Sequence, residues 1–267
     1  MAERPLALIT GGSGGIGFEL AKLFAGDNYD LVIAARNEQK LQQAAAELTS
    51  RFKVKVDTFS VDLADVDGPG ELASAMGGRI DELTALVNNA GYGMQGPFLK
   101  TDIDVEVKMV QTNITSLMQL TKLAAPGMVK RGSGYILNVG STAGFQPGPN
   151  MAVYYASKAF VNSFSQALGA ELKGTGVKVS CLCPGPVETD FQARANFAAG
   201  KLFKMKAAIV PASEVALEAY RGMKDGKSIV IPGFVNKLGN FGQRFLSRDA
   251  VTKMTGNLNE VEPGPVS

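Results

Sequence analysis

Two groups of residues in this chain have the types and spacing for chemistry. The first is TGGSGGIG, residues 10–17, where Gly11, Gly15 and Gly17 follow an apolar run and lead into a helical pattern. A sharp turn there needs residues without a Cβ, and a pyrophosphate must approach the backbone closely. The helix N-terminus then offers unpaired N–H groups and a partial positive charge, so the segment reads as a dinucleotide cradle. At the end of the next apolar run, LVIAARNEQK puts Ala35 and Arg36 where an acidic residue would accept from a ribose 2′-hydroxyl. Arg36 can pair bidentately with a 2′-phosphate and stack on adenine, and Ser13 can add a hydroxyl contact, so the cofactor reads as NADP(H). An arginine on a solvated helix start is the competing reading. The second group is YYASK, in which Tyr154 and Lys158 stand four apart and share a helix face. NNAG (Asn88–Gly91) and NVGS, ending at Ser141, close two further apolar runs.

Those groups must be positioned by the elements around them. Leu6–Thr10, Leu31–Ala35, Val54–Ser60, Leu83–Asn89, Tyr135–Ser141, Val177–Cys183 and Ser228–Ile231 have strand length. Most are continuously apolar, as parallel strands covered on both faces must be. Between them, Ile16–Phe24, Glu38–Leu48, Asp102–Ala125, Val153–Leu172 and Ser213–Met223 have helical period. The alternation predicts an α/β fold with a doubly wound parallel sheet of Rossmann type. No linker or repeat divides residues 1–267, so one domain carries both cofactor binding and catalysis. Ligands in such sheets gather at the carboxyl ends of the strands, where the glycine loop, NNAG, Ser141 and Tyr154/Lys158 all fall. The segment Val187–Pro211 is long for a strand-to-helix connection and reads as a functional loop, and a tail from Gly256 onward is expected to fray.

In this order and spacing the motifs resemble the short-chain dehydrogenase/reductase superfamily, NADP-preferring single-domain type, from Leu6 to about Gly233. The resemblance rests on TGGSGGIG, Val61–Leu63, NNAG, Asn113, Ser141, Tyr154/Lys158 and PGPVET at Pro184–Thr189. It implies that Tyr154 is the general acid toward a carbonyl oxygen, or the base in reverse, and that Ser141 hydrogen-bonds that oxygen. Lys158 would lower the phenol's pKa and bind the nicotinamide ribose; Asn113, inside a long helix, would hold a water in a proton relay with Lys158. An ammonium ~4 Å from the phenol at an effective dielectric of ~20 contributes about 4 kcal/mol, roughly three pK units. Tyr155 competes with Tyr154 and Thr142 with Ser141; the family's three intervening residues select Tyr154. The cofactor contacts implied are Thr10, Gly11, Ser13, Gly15, Ile16, Gly17, Arg36, Asp62, Leu63, Asn89, Ala90, Gly91, Tyr154, Lys158, Pro184, Gly185, Val187 and Thr189, with Asp62 toward the adenine.

Composition narrows the rest. Lys+Arg at 27 against Asp+Glu at 25 does not suggest a nucleic-acid binder, and the absence of histidine removes imidazole bases and imidazole metal ligands. No metal is expected. Cys181 and Cys183, two apart in a strand, point along one face as buried reduced thiols, which fits a reducing, cytoplasmic setting. MAERPLALIT enters a strand pattern at once, leaving no room for a signal peptide, and no apolar stretch reaches the ~20 residues of a membrane span.

The substrate pocket is expected from Tyr92–Phe98, Gly144–Met151 and Val187–Pro211, with Tyr92, Met94, Phe98, Phe145, Met151, Phe191, Phe197 and Phe203 suggesting a largely apolar carbonyl or alcohol. Several of these could equally cover the core, and the lysines of Lys201–Lys206 could attract an anion or lie on a solvated face. The C-terminal extension from about 234 to 267 includes a basic amphipathic stretch, Phe234–Met254, that reads as a subunit contact or pocket lid before a membrane-surface helix. Family resemblance adds a homo-oligomer built on the Asp102–Ala125 and Val153–Leu172 helices. The expected activity is NADP(H)-dependent hydride transfer to or from a carbonyl or alcohol. A non-catalytic NADP(H)-sensing regulator and an acyl-carrier-protein-dependent ketoacyl reductase are the alternatives.

Overall fold

The computed structural model describes residues 4–187 and 208–260. Parallel strands β1 (Leu6–Thr10), β2 (Asp30–Ala35), β3 (Val56–Ser60), β4 (Leu83–Asn88), β5 (Gly134–Val139), β6 (Val177–Leu182) and β7 (Ile229–Val230) form one sheet in the order β3-β2-β1-β4-β5-β6-β7. The Rossmann-type α/β expectation matches this sheet. Strand order reverses between β1 and β4, which pair directly, so their carboxyl ends open side by side.

The continuous apolar runs follow from burial on both faces. Ala7 and Ile9 of β1 enter one core with Leu20 and Phe24 of helix α1 (Gly15–Gly26), while Leu6 and Leu8 enter the other with Leu120 and Ala124. Successive strand residues point to opposite faces, and here both faces are covered. Helix α2 (Glu38–Phe52) begins at an Asn37 side chain that accepts from Lys40 N at 2.8 Å. A short α3 (Gly68–Ala75), absent from the sequence reading, follows β3.

The predicted single helix Asp102–Ala125 is corrected in two respects. The observed helical stretch runs as α4 (Ile103–Val110), a π-helical turn (Gln111–Ser116) and α5 (Leu117–Arg131). A π turn inserts a residue into the helical ladder and re-aims the side chains that follow, a distortion often found at functional sites. Helix α6 (Ala152–Glu171) carries Tyr154 and Lys158 beneath the same end of the sheet. Helices α7 (Ala212–Asp225), α8 (Phe234–Gly242) and α9 (Arg248–Leu258) complete the described chain. The tail expected to fray from Gly256 is ordered through Asn259, which is buried and hydrogen-bonded.

At the switch point one hydroxyl joins two strands. Thr10 Oγ1 donates to Val87 O at 3.3 Å and accepts from Asn89 N and Ala90 N, both at 3.0 Å. Asn89 Nδ2 returns a bond to Thr10 O at 2.9 Å. Thr10→Val keeps the shape but strands two amide protons, so urea unfolding should show a loss of about 1–3 kcal/mol. A loss below about 0.5 kcal/mol would mean that this hydroxyl does not hold the turn.

Candidate active site

The glycine loop starts where β1 ends. Gly11 has φ +65°, a conformation that favours glycine, and a Cβ on Gly17 would collide with Gly11 O. Helix α1 begins at Gly14 with no side-chain cap and no acidic residue in its first turn. Its leading N–H groups therefore have no capping side chain of their own, the condition under which a helix end receives an anion. This cradle fits a dinucleotide's pyrophosphate. Arg36 lies at the end of β2, 3.8 Å from Asp62, and both side chains are substantially exposed. Asp62 Oδ1 also accepts from Ala64 N at 3.0 Å, fixing the turn after β3.

A cavity of about 530 Å³ runs from this loop to the catalytic helix. Gly11, Ser13, Gly15, Ile16, Arg36, Asp62 and Leu63 line one end, with Asn89, Ala90 and Gly91 beside them. Ser141, Tyr154, Lys158, Pro184, Gly185 and Val187 line the other. Of the remaining sequence-derived residues, Thr10 and Gly17 do not line it: Thr10 braces the β4 turn and Gly17 lets α1 pack against the loop. Thr189 lies outside the described residues, as do Phe191, Phe197, Phe203 and Lys201–Lys206. The ends of that segment meet in a bridge between Val187 and Val210.

Asn113 lies behind the cavity wall. It sits in the π turn and is buried, and its side chain is committed to protein partners rather than to the cavity. Oδ1 accepts from Tyr92 N at 3.1 Å, while Nδ2 donates to Tyr92 O and Ser157 Oγ, each at 3.0 Å. Ser157 Oγ in turn donates to Tyr154 O at 2.7 Å. The asparagine therefore clamps the loop after β4 onto α6, with both Nδ2 hydrogens used.

Ser141 caps a short turn after β5, its Oγ accepting from Ala143 N at 3.1 Å and lying 3.3 Å from Pro184 O. The same hydroxyl lies close enough to the Tyr154 phenol to stabilise its charged form, while Thr142 Oγ1 donates to Pro184 O at 3.3 Å. Tyr155 is occupied elsewhere: its hydroxyl donates to Asn259 Oδ1 at 3.3 Å. Lys158 is 5% exposed, with Nζ donating to Val139 O at 2.9 Å and standing 5.9 Å from the Tyr154 ring centre.

The expected lowering of the Tyr154 pKa by Lys158 is not what the protein alone provides. Burial pushes the phenol well above its ordinary value, and the nearby Ser141 hydroxyl opposes this only in part. Lys158 is itself desolvated and points at a carbonyl, and burial brings it down to about 8 against the opposing pull of the Cys181 and Cys183 thiols. Burial thus favours the neutral phenol over the phenolate in the protein alone.

Further wall residues come from the C-terminal stretch, read from sequence only as a subunit contact or lid. Val235, Asn236, Gly239 and Gln243 come from α8 and the turn after it, and Met254, Leu258 and Asn259 from α9 and its end. Asn259 Nδ2 donates to Pro149 O at 3.1 Å and Gln95 Nε2 donates to Asn259 O at 2.9 Å, joining the C-terminal helix to the substrate side. The C-terminal stretch thus lines the cavity with part of α8 and α9, while α8 leaves Phe234 77% exposed. Of the aromatic and methionine residues expected in the pocket, Tyr92 and Met151 line it, Phe98 is 58% exposed, and Met94 and Phe145 pack against buried clusters.

The family model described as short chain dehydrogenase matches residues 5–199. The chain is 37% identical over 187 residues to a very-long-chain 3-oxoacyl-CoA reductase of Bos taurus, covering 68% of this chain and 59% of that protein. It therefore spans less than two thirds of that relative's length. It is 36% identical over 189 residues to sulfoacetaldehyde reductase 2 of Chromohalobacter salexigens, covering 70% of this chain and 74% of the relative. Among solved structures, a short-chain dehydrogenase from Sphingobium yanoikuyae in complex with NADPH superposes with a TM-score of 0.79 at 29% identity, covering 91% and 96% of the two chains.

The buried lysine makes stability depend on pH. Its folded pKa, about 8, lies below its ordinary value of 10.5, so the unfolded chain binds more protons between these limits. Stability from this group is therefore lowest when the lysine is charged and rises as pH increases from about 8 toward 10.5. Between pH 7 and 9, wild type should gain about 1 kcal/mol relative to Lys158→Met in cofactor-free urea unfolding. A flat difference would show that the ammonium is better solvated than its surroundings suggest.

Proposed function

The chain belongs to the short-chain dehydrogenase family, and on that premise we propose that it is an NADP(H)-dependent oxidoreductase reducing the carbonyl of a largely apolar ketone, aldehyde or 3-oxoacyl thioester. The observation that carries the reading is the single cavity that joins the glycine cradle to the Ser141–Tyr154–Lys158 cluster. NADPH, when bound, supplies the hydride. The uncapped α1 N-terminus and the loop from Gly11 to Ile16 would hold its pyrophosphate, Arg36 and Ser13 its 2′-phosphate, and Asp62 its adenine. Pro184, Gly185 and Val187 flank the nicotinamide end in this reading.

The work of the chain's own groups follows from their states. Tyr154, a phenol that is protonated at neutral pH, donates its proton to the substrate's carbonyl oxygen as hydride reaches the carbon. Ser141 hydrogen-bonds that oxygen as negative charge develops, in a place from which water is largely excluded. Lys158 supplies positive charge beside the phenol and a donor toward the nicotinamide ribose. Apolar walls from Met151, Met254 and Leu258 favour an apolar substrate. The thioester belongs in the substrate panel because a relative is named as a 3-oxoacyl-CoA reductase.

A homo-oligomer is part of the proposal, supported by apolar side chains left exposed on α4, α5 and α6, among them Val107, Leu123 and Phe160. A cytoplasmic setting is supported by the two free buried thiols. Among the described residues no helix is long and apolar enough to cross a membrane.

Binding of NADPH and NADH, followed by loss of reduced-nicotinamide absorbance with a panel of carbonyls, tests the reading. Tyr154→Phe should lower turnover at least about 100-fold with NADPH affinity preserved, whereas Tyr155→Phe should retain turnover. Loss only at Tyr155 would reverse the assignment, and tight NADPH binding without turnover would favour a sensor. Arg36→Asp should weaken NADPH binding about 10- to 100-fold and shift preference toward NADH. Unchanged NADPH binding would remove Arg36 from the site.

A further inference from the structure

Asn162 lies one helical turn beyond Lys158 and two beyond Tyr154, so the three share a face of α6. It is 3% exposed and stays outside the cavity wall, behind Ser141. Nδ2 donates to Ser141 O at 3.0 Å, a carbonyl that also accepts from Gly144 N at 3.1 Å. Oδ1 faces two thiols, Cys181 Sγ at 3.5 Å and Cys183 Sγ at 3.3 Å. The amide has one permitted orientation, because the Ser141 carbonyl only accepts and the thiols can donate. Room for it comes from the backbone on either side of Ser141: a Cβ at Gly140 would collide with Oδ1, and one at Gly144 with Nδ2.

We propose that Asn162 is a positioning residue for the reaction: it fixes the Ser141 backbone so that the serine hydroxyl is held facing the Tyr154 phenol across the cavity, with Cys181 and Cys183 as the donors that hold its amide in place. This rests on the reading of Ser141 and Tyr154 as the reacting pair. A residue that merely filled space would need neither a donor aimed at Ser141 nor two thiols aimed at its oxygen. The same arrangement gives the buried cysteines a role that requires them reduced and protonated as donors, without any contact with substrate.

The test reads the Ser141–Tyr154 contact directly as well as through turnover. Protein labelled with ¹³C at tyrosine Cζ reports the phenol's hydrogen bonding, and the Tyr154 resonance is identified by its loss in Tyr154→Phe. In Asn162→Ala that resonance should move at least about half-way to its position in Ser141→Ala. NADPH affinity and carbonyl KM should stay within about threefold while kcat falls about tenfold or more. The double variant Cys181→Ala/Cys183→Ala should move the resonance in the same direction, and Cys181→Ser/Cys183→Ser, which keeps both donors, should return it toward wild type. A folded Asn162→Ala with the wild-type resonance overturns the proposal, whatever its turnover. If Asn162→Ala does not fold, an unmoved resonance in the double alanine variant overturns it equally. Absence of carbonyl reduction by wild type would defeat the proposed function, while the resonance would still decide the role of Asn162.

Discussion

Burying an ammonium is the constraint around which this molecule is arranged. Lys158 is almost wholly removed from water, and an isolated charge there would cost several kcal/mol. The structure supplies a carbonyl at the end of β5, two polarisable thiols from β6 and its end, and a proton affinity lowered enough to make the charge less binding. Each of those partners lies at the carboxyl end of a strand. Their convergence requires β5 and β6 to be adjacent, in register, with α6 laid across that end.

The opposite end of the cavity solves the complementary electrostatic problem. An uncapped helix start and an exposed arginine make a place for negative charge, built from backbone and a single long side chain. Between the two lies the β1/β4 switch point, which Thr10 and Asn89 tie together by hydrogen bonds in both directions. Asn113 then fastens the chain leaving β4 to the catalytic helix. Polar side chains here serve as rivets for loops whose backbone must face a ligand, because such backbone cannot satisfy itself in regular structure.

Much of this was legible in the sequence for a simple reason. Strands covered on both faces must be apolar throughout, and a phosphate-binding turn must be glycine-rich, so β1, β2 and the cradle declare themselves locally. Tyr154 and Lys158 were visible through helical spacing. The π turn was not, since a single inserted residue barely disturbs an apolar period, and Asn113 therefore read as part of one uninterrupted helix. Nor was the phenol's protonation state: pairwise attraction is easily foreseen from spacing, whereas desolvation depends on the whole surrounding packing. Asn162 stood at a readable spacing from Lys158, but its partners come from β5 and β6 and only the fold brings them there. Helices α8 and α9 read only as an amphipathic stretch of undecided use; which face meets the cavity follows from the fold.

The joining of Asn259 to Gln95 and Tyr155 has a consequence for the order of assembly. The contacts span 164 and 104 residues of chain. The cradle's helix α1 waits for its packing partner α7, and the far wall of the cavity waits for segments near residue 259. Vectorial synthesis therefore leaves both ends of the cavity unfinished until the C-terminal helices have been made. The cavity is thus completed by contacts between residues far apart in the chain, the kind that form late in folding.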